Sequence, residues 1–169
     1  MDPTTPSIRP AVRADAEGAC RVLRRSITES CRVDHRDDPA LIAGWLENKT
    51  PDNLRAWIQS RGYLVVAEHN GEIVGVAMLG GNGKITLCYL LPELRFQGVG
   101  RQLLAALETE ARARGVTVLR LESTKTALSF YQRNGYSEAG VVHSEVGLTA
   151  HRMEKVLSAA TLSVEPPRD

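Results

Sequence analysis

Apolar residues recur at helical spacing over residues 15–30, at Ala16, Ala19, Cys20, Leu23 and Ile27, which predicts one amphipathic helix. Asp38-Pro39 then places a capping side chain before a proline at the first helical position, with Leu41, Ile42, Trp45 and Leu46 as the apolar stripe behind it. Thr50-Pro51 repeats the device for a third short helix carrying Leu54, Trp57 and Ile58, and Gly62 is expected to end it in the left-handed conformation. There the period changes. Residues 63–68 and 73–79 are apolar or β-branched runs separated by His69-Asn70-Gly71-Glu72, which predicts an antiparallel hairpin. After a Gly-Gly-Asn-Gly turn, residues 84–90 read as a third strand of the same meander, stopped by Pro92. Helical spacing returns over 98–114, with Val99, Leu103, Leu107 and Ala111 on one face and Gly115 closing the segment. Residues 116–122 read as a buried strand, 125–134 as a short helix ending at Gly135, and 136–142 and 148–157 as two last strands.

The order of helices, antiparallel strands and then strand, helix and strands predicts an α/β fold. A chain of 169 residues fits one domain, expected over 1–157, and residues 158–169, ending Pro-Pro-Arg-Asp, are expected to fray. Composition narrows the function. With 21 Lys and Arg against 20 Asp and Glu, the net charge of +1 lacks the wide positive field of a dedicated nucleic-acid binder, while a local basic cleft stays open. No apolar run approaches the roughly 18 residues of a membrane span, and residues 1–10 carry prolines and polar groups where a signal peptide has its apolar core, so a cytoplasmic location is expected. Three widely spaced cysteines, Cys20, Cys31 and Cys88, fit free thiols better than a disulfide framework. His35, His69, His143 and His151 lack ligand spacing, and no metal is expected. No Gly-x-Ser-x-Gly surrounds any serine, which leaves covalent serine catalysis without support.

The most informative stretch runs from Leu90 through Pro92, Arg95, Phe96, Gln97, Gly98, Val99 and Gly100 to Arg101, joining a strand to the long helix. Its two glycines allow close backbone approach, and the free N–H groups and dipole of a helix N-terminus favour phosphate oxygens, with Arg95 and Arg101 adding charge. Taken alone, Gly-x-Gly before a helix is also an ordinary tight turn.

This segment resembles the acyl-CoA motif of the Gcn5-related N-acetyltransferase (GNAT) family, Arg/Gln-x-x-Gly-x-Gly/Ala, which Arg95, Gly98 and Gly100 satisfy. The run Ala127-Leu128-Ser129-Phe130-Tyr131-Gln132-Arg133-Asn134-Gly135-Tyr136 is similar to the family's second hallmark, a helix bearing a tyrosine and closing on Gly-aromatic. The resemblance covers residues 7–157, including the strand ending His151-Arg152-Met153-Glu154-Lys155. It implies a mixed, largely antiparallel sheet flanked by helices, whose fourth and fifth strands, 84–90 and 116–122, splay around the thioester of acetyl-CoA. It further implies that backbone groups of Cys88, Tyr89 and Leu90 bond the pantetheine arm and that the N–H groups of Gln97 to Arg101 hold the pyrophosphate. Thr124 stands where many members carry an asparagine.

Tyr131 matches the tyrosine that in many members protonates the departing thiolate, a role suited to a phenol of pKa about 10; spacing alone reads it as a half-buried aromatic. An ammonium acceptor of pKa about 10.4 must lose a proton before attack. The glutamate of histone-type members falls at Lys84, so Glu122 becomes the candidate base, against a solvated or ion-paired strand-end residue and a water chain. Glu29, Asp34, Asp37 and Asp38 form an acidic run beside the early helices that either receives a cationic amine or is a solvated face. The resulting expectation is an N-acetyltransferase moving acetyl from acetyl-CoA to a primary amine, on a small molecule or a protein, by direct transfer in a ternary complex. A homodimer is compatible with this reading. The alternatives are a noncatalytic acyl-CoA-binding module and a nucleotide-binding module.

Overall fold

Helix α1 (Ala16–Ser30) buries the stripe its spacing predicts, and α3 (Pro39–Leu46) and α4 (Pro51–Ile58) begin at the expected caps. The Asp38 carboxylate accepts from the N–H groups of Ala40 and Leu41, and the Thr50 hydroxyl from that of Asn53. The computed structural model describes residues 5–145 and 147–158, so the tail expected over 158–169 lies, apart from Ser158, outside the described residues. Between α1 and α3 sits α2 (Arg32–His35), a single turn the pattern does not announce. It is held by His35, fully buried, whose Nε2 donates to the carbonyls of Ile27 and Thr28 while Nδ1 accepts from the Asp37 N–H. That hydrogen-bond pattern assigns the proton to Nε2.

The strands are β1 (Ser7–Pro10), β2 (Tyr63–His69), β3 (Glu72–Leu79), β4 (Lys84–Leu90), β5 (Val118–Ser123), β6 (Ser137–His143) and β7 (Thr149–Val156), with α5 (Val99–Ala113) and α6 (Leu128–Arg133) between them. They form one sheet in the order β1-β2-β3-β4-β5-β7-β6, antiparallel throughout except for the parallel pair β4 and β5. This is the mixed, largely antiparallel sheet expected. The unannounced β1 pairs with β2 and moves the two predicted splayed strands to fourth and fifth place. The hairpin joining β2 to β3 turns on Asn70 and Gly71, both at positive φ, 51° and 79°, as a two-residue turn matched to strand twist requires.

Several boundaries shift for local reasons. α4 stops at Ile58, and Gly62 does not adopt a left-handed φ. A Cβ there would lie 2.6 Å from the Met78 methyl and 2.9 Å from the Leu79 carbonyl oxygen, so glycine serves space at that position. β5 begins two residues late because the Val116 N–H still bonds the Ala111 carbonyl at the end of α5. α6 is shorter than expected, since residues 125–127 form a turn in which the Thr124 hydroxyl accepts from the Ala127 N–H.

Helices cover both faces. Ile73 of β3 meets α1 at Gly18, whereas Gly75, across a β-bulge, meets Leu103 of α5. The bulge puts these two residues on opposite faces, which separates the α1 side from the α5 side. Leu23 and Leu54 pack on the first, Leu103, Leu107, Leu119 and Met153 on the second, all without solvent exposure. Full burial of each such side chain is worth roughly 1.5–3 kcal/mol relative to exposure. Among the described residues no helix is long and apolar enough to cross a membrane.

Candidate active site

β4 and β5 are paired only at Lys84 with Arg120 and Ile85 with Leu121. On its other edge β4 shifts register against β3, with Ile85 opposite Leu79 but Leu87 opposite Met78, which leaves Thr86 as the bulged extra residue. A bulge bends and twists its strand, and the two central strands diverge from this point. A cavity of about 570 Å³ fills the divergence, and Thr86, Cys88, Tyr89 and Leu90 of β4, Leu121, Glu122 and Ser123 of β5, and Thr124 line it. The register divides these side chains by face. Cys88 and Leu90 lie opposite Ala77 and Gly75 on the α5 side, and Leu87 and Tyr89 project toward α1.

On the α5 side the cavity meets a helix N-terminus. Gly98, at φ 86°, is the N-cap residue of α5, and the first helical hydrogen bond runs from the Gln102 N–H to its carbonyl. The N–H groups of Val99, Gly100 and Arg101 are therefore unpaired within the helix, and Gly98, Gly100 and Arg101 line the cavity. Gly100 is a close-approach glycine, since a Cβ would lie 3.2 Å from Leu90 and 3.4 Å from two Phe130 ring carbons. Phe96 takes a left-handed φ of 64° and stands 87% exposed, with the Arg95 guanidinium 4.9 Å from its ring centre. The preceding turn is braced from α1 by Arg25, which donates to both carboxylate oxygens of Glu93 at 2.9 and 3.0 Å.

α6 supplies Tyr131, 6% exposed, packed edge-on against Phe130 and Tyr136 with ring centres 5.1 and 5.6 Å away. Burial, with Cys88 adding, holds the Tyr131 hydroxyl well above the ordinary tyrosine range, so it stays protonated. Burial also pushes the Cys88 thiol up to about 11, and burial together with Asp34 pushes Cys31 up to about 12. Both thiols in the cavity wall are protonated at neutral pH. Beneath the aromatic cluster the Tyr136 hydroxyl and Lys155 ammonium both donate to one oxygen of Glu108, at 3.0 and 2.9 Å, and Lys155 also reaches the Asn134 carbonyl.

A match to the acetyltransferase (GNAT) domain family spans residues 32–157. The chain belongs to the GNAT acetyltransferase family. A GCN5-related N-acetyltransferase from Rhodopseudomonas palustris, described also as a class-II aminotransferase, superposes with TM-score 0.81 at 27% identity, over 93% of this chain and 99% of that one. PaiA N-acetyltransferase of Thermoplasma acidophilum, solved with coenzyme A, gives 0.74 at 21% over 91% and 100%. YncA of Salmonella typhimurium, solved with acetyl-CoA, gives 0.69 at 21% over 94% and 97%. A curated relative, an IAA acetyltransferase of Azospirillum brasilense, is 32% identical over 84 residues, 45% of this chain. The chain spans about half of that relative's length, 55%.

Within this GNAT fold the expected site residues converge on one cavity: Cys88, Tyr89, Leu90, Arg95, Phe96, Gly98, Gly100, Arg101, Glu122, Thr124 and Tyr131 all line it. Gln97 and Val99 do not. The Gln97 amide donates to the Glu93 carbonyl, and the Val99 side chain is buried in the core, which leaves their backbones as the groups available to a ligand. Glu122 is ion-paired with Lys84 at 3.3 Å, each side chain 40% exposed. Thr124 directs its hydroxyl to its own turn.

The acidic run is engaged within the chain. Glu29 pairs with Arg25 and Asp37 with Arg32, Asp38 caps α3, and Asp34 binds the loop after β5. Sequence reasoning missed Ser26, Ser30 and Cys31, which line the cavity from α1 and the residue after it, and Ser129, Arg133 and Asn134 from α6. The signal for the first group was two serines four residues apart beside the buried stripe of α1. Among the described residues no group of three or more His, Cys, Asp or Glu stands ready to hold a metal ion.

Proposed function

We propose that this chain transfers the acetyl group of acetyl-CoA to a primary amine by direct attack in a ternary complex. The observation that carries the reading is the cavity itself, open at the strand splay, with free helix N–H groups at one end and a protonated buried phenol beside it. Unpaired N–H groups with Arg95 and Arg101 suit a pyrophosphate, and the edge of β4 without a strand partner beyond Ile85 suits the amides of a pantetheine arm. Two neighbours of this fold hold coenzyme A and acetyl-CoA. Acetyl-CoA supplies an activated acyl group on a thiol leaving group. Tyr131 donates its proton to the departing sulfur. Because both cavity thiols stay protonated, neither Cys31 nor Cys88 is a ready nucleophile, which supports direct transfer over an acetyl-cysteine intermediate. Glu122, on the α1 side of β5, receives the amine proton through water once Lys84 yields its place. A cytoplasmic setting agrees with three free thiols.

The Lys84 ion pair on Glu122 favours, as the second reading, a noncatalytic acyl-CoA-binding module. Coenzyme A release that depends on an added primary amine, and that rises from acidic to mildly alkaline pH as the amine loses its proton, supports the enzyme. Tight acetyl-CoA binding with no release across varied amines supports the module, and an O-acetyl product would overturn the amine assignment.

A further inference from the structure

Past Ile85 and Leu121 no ladder bond joins β4 to β5, so the two halves of the sheet need another tie beside the cavity. On the α1 side one carboxylate supplies it. Asp34, in α2, accepts from the Lys125 N–H at 2.7 Å through Oδ1 and from the Thr126 N–H and hydroxyl at 3.3 and 2.6 Å through Oδ2. These groups lie 91 and 92 residues further along the chain. Ser30 and Cys31, one turn before Asp34, line the cavity, and so do Thr124 and Thr126 on the opposite side. The staple therefore joins two walls of one opening. Beside it Asp34, Arg36, Lys125, Gly147 and Thr149 line a small cavity of about 60 Å³, and a Cβ on Gly147 would lie 3.5 Å from Leu41 of α3.

Resting on the acetyl-transfer reading, we infer that Asp34 is a positioning residue that fixes the width of the acceptor opening and limits the acceptor to a compact, hydroxyl-bearing amine, excluding an amine on an extended polypeptide. An extended chain entering from this side would have to displace the Asp34 bonds. The wall chemistry agrees. Ser30 Oγ is buried with no hydrogen-bond partner among the described residues, Ser26 lies one turn before it, and the Cys31 thiol is neutral. An unpaired buried hydroxyl favours a ligand that bonds it. Of the carboxylates nearby, Asp34 is engaged by the loop and Glu29 by Arg25, so a polyamine with several cationic centres finds on this wall at most the single carboxylate of Glu122, itself shared with Lys84.

The test compares wild type, Asp34→Ala and Asp34→Asn with acetyl-CoA and three acceptors: glucosamine, spermidine and a blocked lysine pentapeptide. Wild type is expected to favour glucosamine by about tenfold or more in kcat/KM over the other two. Asp34→Ala should raise the glucosamine KM by about tenfold, leave the acetyl-CoA KM within about twofold and gain activity on the peptide, with Asp34→Asn between them because it keeps one acceptor oxygen. Hydrogen exchange at the Lys125 and Thr126 amides, followed without any substrate, should accelerate in Asp34→Ala and so report the staple independently of catalysis. A wild type that prefers the peptide, or an Asp34→Ala protein whose two KM values are both unchanged or rise together, would overturn the inference. No turnover with any amine, with exchange still accelerated, would instead bring down the acetyl-transfer reading and the acceptor limit with it.

Discussion

Tyr131 has the two properties a general acid needs here, a proton that burial keeps in place and a position on the cavity wall beside Cys88. Replacing it by phenylalanine keeps the ring that packs on Phe130 and Tyr136 and removes only the hydroxyl. Tyr131→Phe is expected to lower kcat by roughly 10²-fold while acetyl-CoA affinity changes little, because general acid catalysis is lost and binding is not. Steady-state kinetics beside direct binding checks this, and an unchanged kcat with chemistry still rate-limiting would reduce Tyr131 to packing. The other residues at this scale show what neighbours do to a side chain. Glu29, Asp34, Asp37 and Asp38 are close in sequence and look like one acidic patch, yet each has a different partner: Glu29 pairs with Arg25 on its own helix, Asp37 with Arg32, and Asp34 with the Lys125 amide of a distant loop. Charge proximity along a chain does not reveal which charges are already neutralised in space.

At the scale of elements, the turn and helix start proposed to hold the cofactor were legible because they form a single contiguous segment. A glycine turn, a helix start and two arginines within residues 95–101 carry both the local structure and the chemistry. The proposed acceptor side was not legible, since its walls come from α1, the residue after it, β4 and a loop some 90 residues away that Asp34 ties down. Short elements escaped for a related reason. β1 has one apolar residue, Ile8, and ends on Pro10, so only its pairing with β2 makes it a strand, while α2 is one turn around a buried histidine. Long periodic segments needed no such help, and α1 and α5 start and stop within a residue or so of their predicted limits. A direct test of the α5 terminus is Gly100→Glu, which puts bulk against Leu90 and Phe130 and a negative charge beside the free N–H groups. The variant is expected to fold with a Tm lower by several degrees, at about 2–4 °C per kcal/mol for a chain of this size. The further rise in Tm that saturating acetyl-CoA gives wild type should be lost. A folded variant that keeps the full ligand-induced shift would remove this terminus from the binding site.

For the whole molecule, the edge strand is attached by charge as well as by its ladder. Arg9 of β1 donates to both oxygens of Asp15, at 2.8 and 2.9 Å, and to Glu68 of β2 at 2.7 Å, so one guanidinium joins β1, the start of α1 and β2. The Arg9 hydrogen bonds, opposed by burial and helped by the Val12 N–H, hold the Asp15 carboxyl below its ordinary range. A carboxylate whose pKa is lowered by folding stabilises the native state above its unfolded pKa of about 4, and that contribution is lost as pH falls through the lower folded value. Asp15→Asn should therefore melt below wild type at pH 7, and the gap should narrow once the pH drops under about 4. Equal melting temperatures across that range would mean the network contributes nothing.

The sheet opening, the helix terminus and the phenol all serve one claim, that acetyl passes from acetyl-CoA to an amine with both bound at once. Initial rates measured while acetyl-CoA and an accepted amine are varied together, with the product identified by mass, test it most directly. Direct transfer gives intersecting reciprocal plots, one coenzyme A released per amine acetylated on nitrogen, and no acetylated protein when acetyl-CoA is added alone. Parallel plots with an acetyl group trapped on the protein, or acetyl-CoA binding with no amine-dependent release, would contradict it.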